Sequence, residues 1–357
     1  MIAATVRRIV VFCLLLLAVP AGTAGQEPDS GVGETLPPDE NLPPHIRRLS
    51  WFGERADFSL DGTRVLFLSK TFGDAMEVEI ETGIIRNLTA HFPHHGFTRA
   101  LYLSNGDILL SGPTAFDPAD PGDARNNSWL FVLTPGSPEA PRPLGVKCAE
   151  GPAVSRRRLH IAWSYRASQF PDVMPRGSSQ MHEADIVYEN GVPRLVNQRQ
   201  ILDSSELPFE ATLEPQNYRP PQERELVFSA YDYQETEVFA IDLESGDLTN
   251  YSNAPQTYDE PEGIFPSGDH IAVESDHHEP EAEGFGRADI YRLTLDGSGT
   301  MERLTRFADV PTYRASNPVI SDDGRFMALQ MGRSGVPAGT GYGIFLYDLE
   351  RAPPGGR

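Results

Sequence analysis

The chain has 357 residues, with 51 acidic against 30 basic side chains and a formal charge of −21, and it carries 31 prolines and 32 glycines. So acidic a chain is a poor partner for nucleic acid or for an anionic membrane surface, and its charge favours solubility, cations and basic partners. With only two cysteines, a disulfide scaffold is excluded as the source of its stability.

Residues 1–24 have the pattern of a secretory leader: Arg7 and Arg8, an apolar run over residues 9–19, then small residues up to Ala24. The run is too short to span a membrane, and Phe12 before Cys13 does not fit a lipoprotein cleavage box. The pattern predicts a soluble product, periplasmic or secreted, with no membrane insertion. Loss of the two arginines would take the charge from −21 to −23 and leave Cys148 as the one thiol. Residues 25–45 are rich in Pro and acid with almost nothing to bury, and read as an unstructured tether. Residues 46–350 are expected to form one all-β domain, followed by a tail at 351–357.

That domain repeats one grammar. Residues 316–330 read as strand, turn, strand, with Ser321-Asp322-Asp323-Gly324 supplying the tight turn. Related copies occur at 57–68, 99–110 and 263–273, with degenerate ones at 151–163 and 220–228. Taking Gly62, Gly106, Arg158, Glu223, Gly268 and Gly324 as equivalent, the spacings are 44, 52, 65, 45 and 56 residues. This is the period of a propeller blade, about 40–50 residues, lengthened by loop insertions.

Each copy continues into a third apolar strand (75–80, 129–133, 184–188, 236–242, 289–294 and 343–349). A polar fourth follows in most, as at Arg86-Asn87-Leu88-Thr89 and Arg303-Leu304-Thr305. The last copy has no fourth strand of its own, whereas Arg47-Arg48-Leu49-Ser50 has the right composition and stands just before the first copy. The expectation is a six-bladed β-propeller of four-stranded antiparallel blades, its ring closed by an N-terminal strand completing the last blade. No segment shows a helical period. The basic run Arg156-Arg157-Arg158 is expected to be a solvated hairpin turn.

These residues resemble the TolB-like, WD-like propeller repeat, whose signature is a Ser-Pro-Asp-Gly turn, a small apolar strand and an Arg-Leu-Thr outer strand. Leu60, Arg156 and Asp322 stand where that repeat has Pro. The resemblance covers about residues 46–349 and implies the propeller fold. Function is left open by it, because such repeats serve scaffolds, peptidase accessory domains and polysaccharide lyases.

Chain direction selects one face. If each blade runs outward from the channel, the Asp-Gly hairpins share one face, and the entries to the innermost strands share the other with long loops at 112–128, 164–183, 274–288 and 330–342. The entries place Glu54, Arg55, His94, His95, Arg99, Glu150, Glu210, Asp259, Glu260 and Asn317 around the channel mouth. His182, Asp276, His277 and His278 fall in loops of the same face. Carboxylates there are expected to outnumber Arg55 and Arg99, which would favour a divalent cation such as calcium or manganese. No esterase elbow, phosphate loop, zinc-protease motif or cysteine pair is present. The expected function is therefore non-catalytic binding of a protein, peptide or glycan by a monomer. The alternative is a metal-assisted lyase of the oligogalacturonate type, in which His94, His95, Arg99, His182 and His277 would act on a uronate.

Overall fold

The structure is a computed structural model that describes residues 36–149, 151–279, 287–336 and 339–353. The expected leader, most of the tether and Glu150 lie outside the described residues. The propeller strands all belong to the unit that begins at Leu36.

The first sheet contains Glu54–Phe58, Arg64–Leu68, Ala75–Glu79 and Ile85–Asn87, paired in chain order. The second contains Arg99–Tyr102, Ile108–Pro113, Ser128–Leu133 and Arg142–Cys148, and the third Ala153–Val154, His160–Arg166, Ser179–Glu189 and Val192–Asp203. In the last sheet Tyr313–Ile320, Phe326–Arg333 and Ile344–Asp348 are followed at the edge by Ile46–Arg48, with Ile46 opposite Tyr347 and Arg48 opposite Phe345.

Six separate blades are expected from the sequence, and the structure departs from this between residues 212 and 303. Those strands form one eight-stranded sheet, so the described residues make four separate four-stranded sheets and a larger fifth. The cause is a short parallel contact in which Glu235 and Thr236 lie beside Thr257 and Tyr258, linking two otherwise antiparallel groups of strands.

Apolar clusters lie between the faces of successive sheets, which fixes the stacking around an axis. Leu66 and Leu68 of the first sheet meet Ala100, Tyr102 and Leu110 of the second. Leu109 and Leu130 meet Ile161 and Trp163 of the third, and Ala162 and Met181 meet Leu213 and Phe228. Phe58 and Val65 of the first sheet share a cluster with Ala328, Ile344 and Leu346 of the last. The alternating strands thus bury both faces, as stacked sheets must. Gly62, Gly106, Gly268 and Gly324 all take the positive φ that the hairpin turns need.

Three further expectations are corrected. The tether is ordered from about Leu36: Pro38–Glu40 forms a 3-10 turn, Asp39 pairs with Arg48, and the His45 ring packs edge-on to Tyr347 at 4.7 Å. A helical turn, Pro121–Asn126, occurs in the 112–128 loop, where Asp120 Oδ1 accepts from the Asp123 N–H at 3.1 Å and Pro121 suits the first helical position. Arg156 is no solvated turn residue. It donates to Asp322 at 2.9 and 3.0 Å and to the Phe58 carbonyl at 2.9 Å, tying the third sheet to the first and last across the hairpin face.

Candidate functional site

At the opposite end of the axis the innermost strands open into a cavity of about 530 Å³. Two bulges aim side chains into it. Arg55 (φ +55°) and Asn317 (φ +46°) sit in the left-handed region where the ladders slip register, between Glu54 and Asp57 and between Ser316 and Val319. Such bulges re-aim a strand residue. The Arg55 N–H donates to Gln330 Oε1 at 2.6 Å, and the Asn317 side chain donates to Glu262 at 2.6 Å and Glu274 at 3.1 Å.

Alternation supplies the acidic wall. Tyr258, Glu260 and Glu262 are every second residue of the strand Thr257–Ile264 and all line the cavity, joined by Glu274 from the neighbouring strand and by Glu214 and Tyr231. The Tyr231 and Tyr258 hydroxyls both donate to Glu260, and Tyr231 also reaches Glu214 Oε2 at 3.0 Å. Burial, then the nearby Glu262 charge, raises the Glu260 carboxyl to about 7. Burial followed by Glu260 and Glu262 pushes Glu274 well above the usual carboxylate range.

Arg99 stands at the floor. Its guanidinium lies 3.5 Å from Glu214 and 3.5 Å from Glu262, and it also lines a second cavity of about 260 Å³ on the hairpin side. Burial alone would weaken its charge, but Glu262, Glu214 and Glu260 more than offset that and hold its pKa above the ordinary value. Gly151 packs beside this pair, and a Cβ there would come within 2.7 Å of Arg99 Nε and 3.0 Å of Glu214 Oε1, so a larger residue would have to shift them. The rim is basic, with Arg125 from the helical turn, Arg166, and Arg314 joining Arg55. Burial, then repulsion from Arg99 and Arg125, lowers the Arg55 pKa.

The mouth residues predicted from sequence therefore divide. Glu54, Arg55, Arg99, Glu260 and Asn317 converge on the cavity. Glu210 is exposed and lines a separate groove beside Phe209 and Asp232. Asp259 points away from the cavity, one residue out of phase with Glu260, and pairs in register with Ser275. The expected excess of carboxylates is also corrected. Among the described residues, Glu54, Glu214, Glu260, Glu262 and Glu274 face Arg55, Arg99, Arg125, Arg166 and Arg314 around the opening.

The histidines do not gather there, and none of the described lining residues is a histidine. His94 bonds Asp74 at 3.1 Å and accepts from the Gly96 N–H at 2.9 Å, while His95 is exposed. His182 is in a strand rather than a loop, opposite Trp163, and burial lowers its pKa to about 4. Asp276 accepts from the Tyr258 N–H at 2.9 Å, the His277 N–H donates to Ser275 Oγ at 3.0 Å, and His278 Nδ1 lies 3.1 Å from the Tyr291 hydroxyl. Each of these three has a local structural partner. The residues that could hold a metal are instead Glu260, Glu262 and Glu274, which offer carboxylate oxygens within 4.8 Å of one another.

Asp259, fully buried, has its carboxyl raised to about 7 by burial. A carboxyl whose folded pKa is raised favours the folded state below its unfolded value of about 4, and this stabilisation is lost as pH rises through about 7. Asp259→Asn is expected to flatten that decline by on the order of 2 kcal/mol between pH 5 and 8. Urea midpoints of both proteins across the range check this, and parallel curves would contradict it.

Stacked antiparallel sheets around an axis, with a polar cavity at one end, define an all-β propeller. No protein-family model matches the chain, and no curated protein does. Among solved structures it resembles a Mycobacterium tuberculosis puromycin-hydrolysing peptidase (TM-score 0.50, 14% identity), over 85% of this chain and 43% of that one. An oligogalacturonate lyase in complex with manganese gives a TM-score of 0.49 at 12% identity, over 85% of this chain and 93% of that one. A TolB from Agrobacterium tumefaciens gives 0.36 at 15% identity, over 79% and 71%. At these identities the likeness concerns the fold alone. Among the described residues no helix is long and apolar enough to cross a membrane.

Proposed function

We propose that this chain is an exported, non-catalytic six-bladed propeller that binds a peptide, protein or glycan in the cavity at its long-loop end. The observation that carries this is the convergence of ten ionisable side chains, five acidic and five basic, with all five sheets contributing, on one opening of about 530 Å³. Concave sites with a few convergent polar groups are where ligands bind. The blade count treats the eight-stranded sheet as two blades joined by the parallel contact of Glu235-Thr236 with Thr257-Tyr258, with Ile46–Arg48 as the outer strand of the last. Export rests on the leader pattern of residues 1–24.

Peptide and acidic-oligosaccharide arrays probed with the full chain test the reading. Binding to a defined subset is expected, with loss of at least tenfold in signal for Arg125→Glu. If EDTA also removes the signal, calcium or manganese at Glu260, Glu262 and Glu274 is part of the site. An array that captures nothing, or captures the variant equally, contradicts the proposal.

A further inference from the structure

Most of the carboxylates lie on one side of the cavity. Glu214, Glu260, Glu262 and Glu274 all come from the eight-stranded sheet, whereas Arg55, Arg99, Arg166 and Arg314 come from the other four sheets and Arg125 from the helical turn; among the described lining residues, Glu54 beside Arg55 is the one carboxylate outside the eight-stranded sheet. The buried polar atoms with no hydrogen bond among the described residues include Arg55 Nε, which lies 3.8 Å from Glu54 Oε1, and Glu274 Oε2, in a residue that is 0% exposed. A buried polar group left unmade is costly, and a ligand that completes it recovers that cost. A purely anionic ligand would satisfy Arg55 and leave Glu274. A cation would do the reverse.

Resting on the binding role proposed above, we infer that the ligand is a zwitterion, a short peptide whose carboxylate lies at Arg55 and Arg125 and whose free ammonium lies against Glu260 and Glu274. An ammonium carries three donors, and a guanidinium meets a carboxylate with paired hydrogen bonds. The acidic wall is built to receive a charge. Glu260 is faced by the Tyr231 and Tyr258 hydroxyls, by Glu262, Glu274 and Glu214, and by Arg99.

Titration calorimetry of the full chain with trialanine, N-acetyl-trialanine, trialanine amide and digalacturonate separates the outcomes. Trialanine is expected to bind, and blocking either end should weaken it at least tenfold. Glu274→Gln should lose the discrimination against the acetylated peptide and keep that against the amide. Arg125→Gln should do the opposite, so one folded variant suffices. Equal binding of the blocked peptides overturns the inference. Binding of digalacturonate without trialanine also overturns it while leaving the cavity a binding site, and silence from all four probes overturns both readings.

Discussion

Deletion of residues 46–50 is expected to destabilise the protein by on the order of 5 kcal/mol and to make it aggregate on purification. The segment gives Ile46 to the cluster that holds Phe345 and Tyr347, and it pairs along Phe345–Tyr347 at the edge of the last sheet. Leu49 and Ser50 donate to the Ile344 carbonyl at 2.7 and 3.2 Å, and the Arg48 guanidinium lies over the Phe345 ring at 4.5 Å. One buried Ile side chain contributes about 2 kcal/mol and each hydrogen bond about 1. Without the segment, Ile344–Asp348 becomes an unpaired apolar edge that can recruit another chain. Deleting residues 26–43 should cost less, about 1–2 kcal/mol, because among the described residues it removes the packing of Pro38 and Leu42, the Asp39–Arg48 pair and the Pro43 carbonyl that accepts from the Ile46 N–H, but no strand pairing. Thermal melts of the two truncations decide this, and equal melting would contradict the edge-strand role.

Arg99→Leu is expected to cost about 3–5 kcal/mol, the usual penalty for leaving buried charges without their partner. Glu214 and Glu262 each lie 3.5 Å from the guanidinium, and the arginine and both acids are almost fully buried. The loss should shrink at low pH. Burial already raises the Glu262 carboxyl, and with the arginine gone it would protonate more readily, so acid removes the uncompensated charge. Denaturant midpoints at pH 5 and pH 8 should therefore differ more for the variant than for the parent. A pH-independent loss would mean that Arg99 matters through packing alone.

The fold is largely legible in the sequence because its signals are local. The glycines of four hairpin turns fix their own positive φ, and the strands between them alternate or run apolar. The features that escape a sequence reading depend on neighbours. Nothing in Glu235-Thr236 or Thr257-Tyr258 announces the parallel contact that fuses two sheets, since it depends on how the 251–256 loop returns. His182 reads as a loop residue because its strand, Ser179–Glu189, starts earlier than its apolar core, and its partner Trp163 is 19 positions away.

The site is half legible for the same reason. Glu54, Arg55, Arg99, Glu260 and Asn317 stand at strand entries, where chain direction alone puts them in the mouth. Tyr258, Glu260 and Glu262 carry a usable signal in their two-residue spacing, which also sets Asp259 aside. Glu274 comes from the far end of a second strand, and Arg125 from a six-residue helical turn inside a long loop. Neither position has a period that points inward. The balance of charge, and hence the kind of ligand, depends on those residues.

The most direct measurement is a crystal structure of the full chain with the best-binding array member. Ordered ligand is expected between Arg55 and Arg125 on one side and Glu260 and Glu274 on the other, with the Arg99–Glu262 floor beneath it. Ligand bound on the hairpin face around Arg156, or along an outer sheet edge with the cavity unchanged, would contradict the binding role assigned to the cavity.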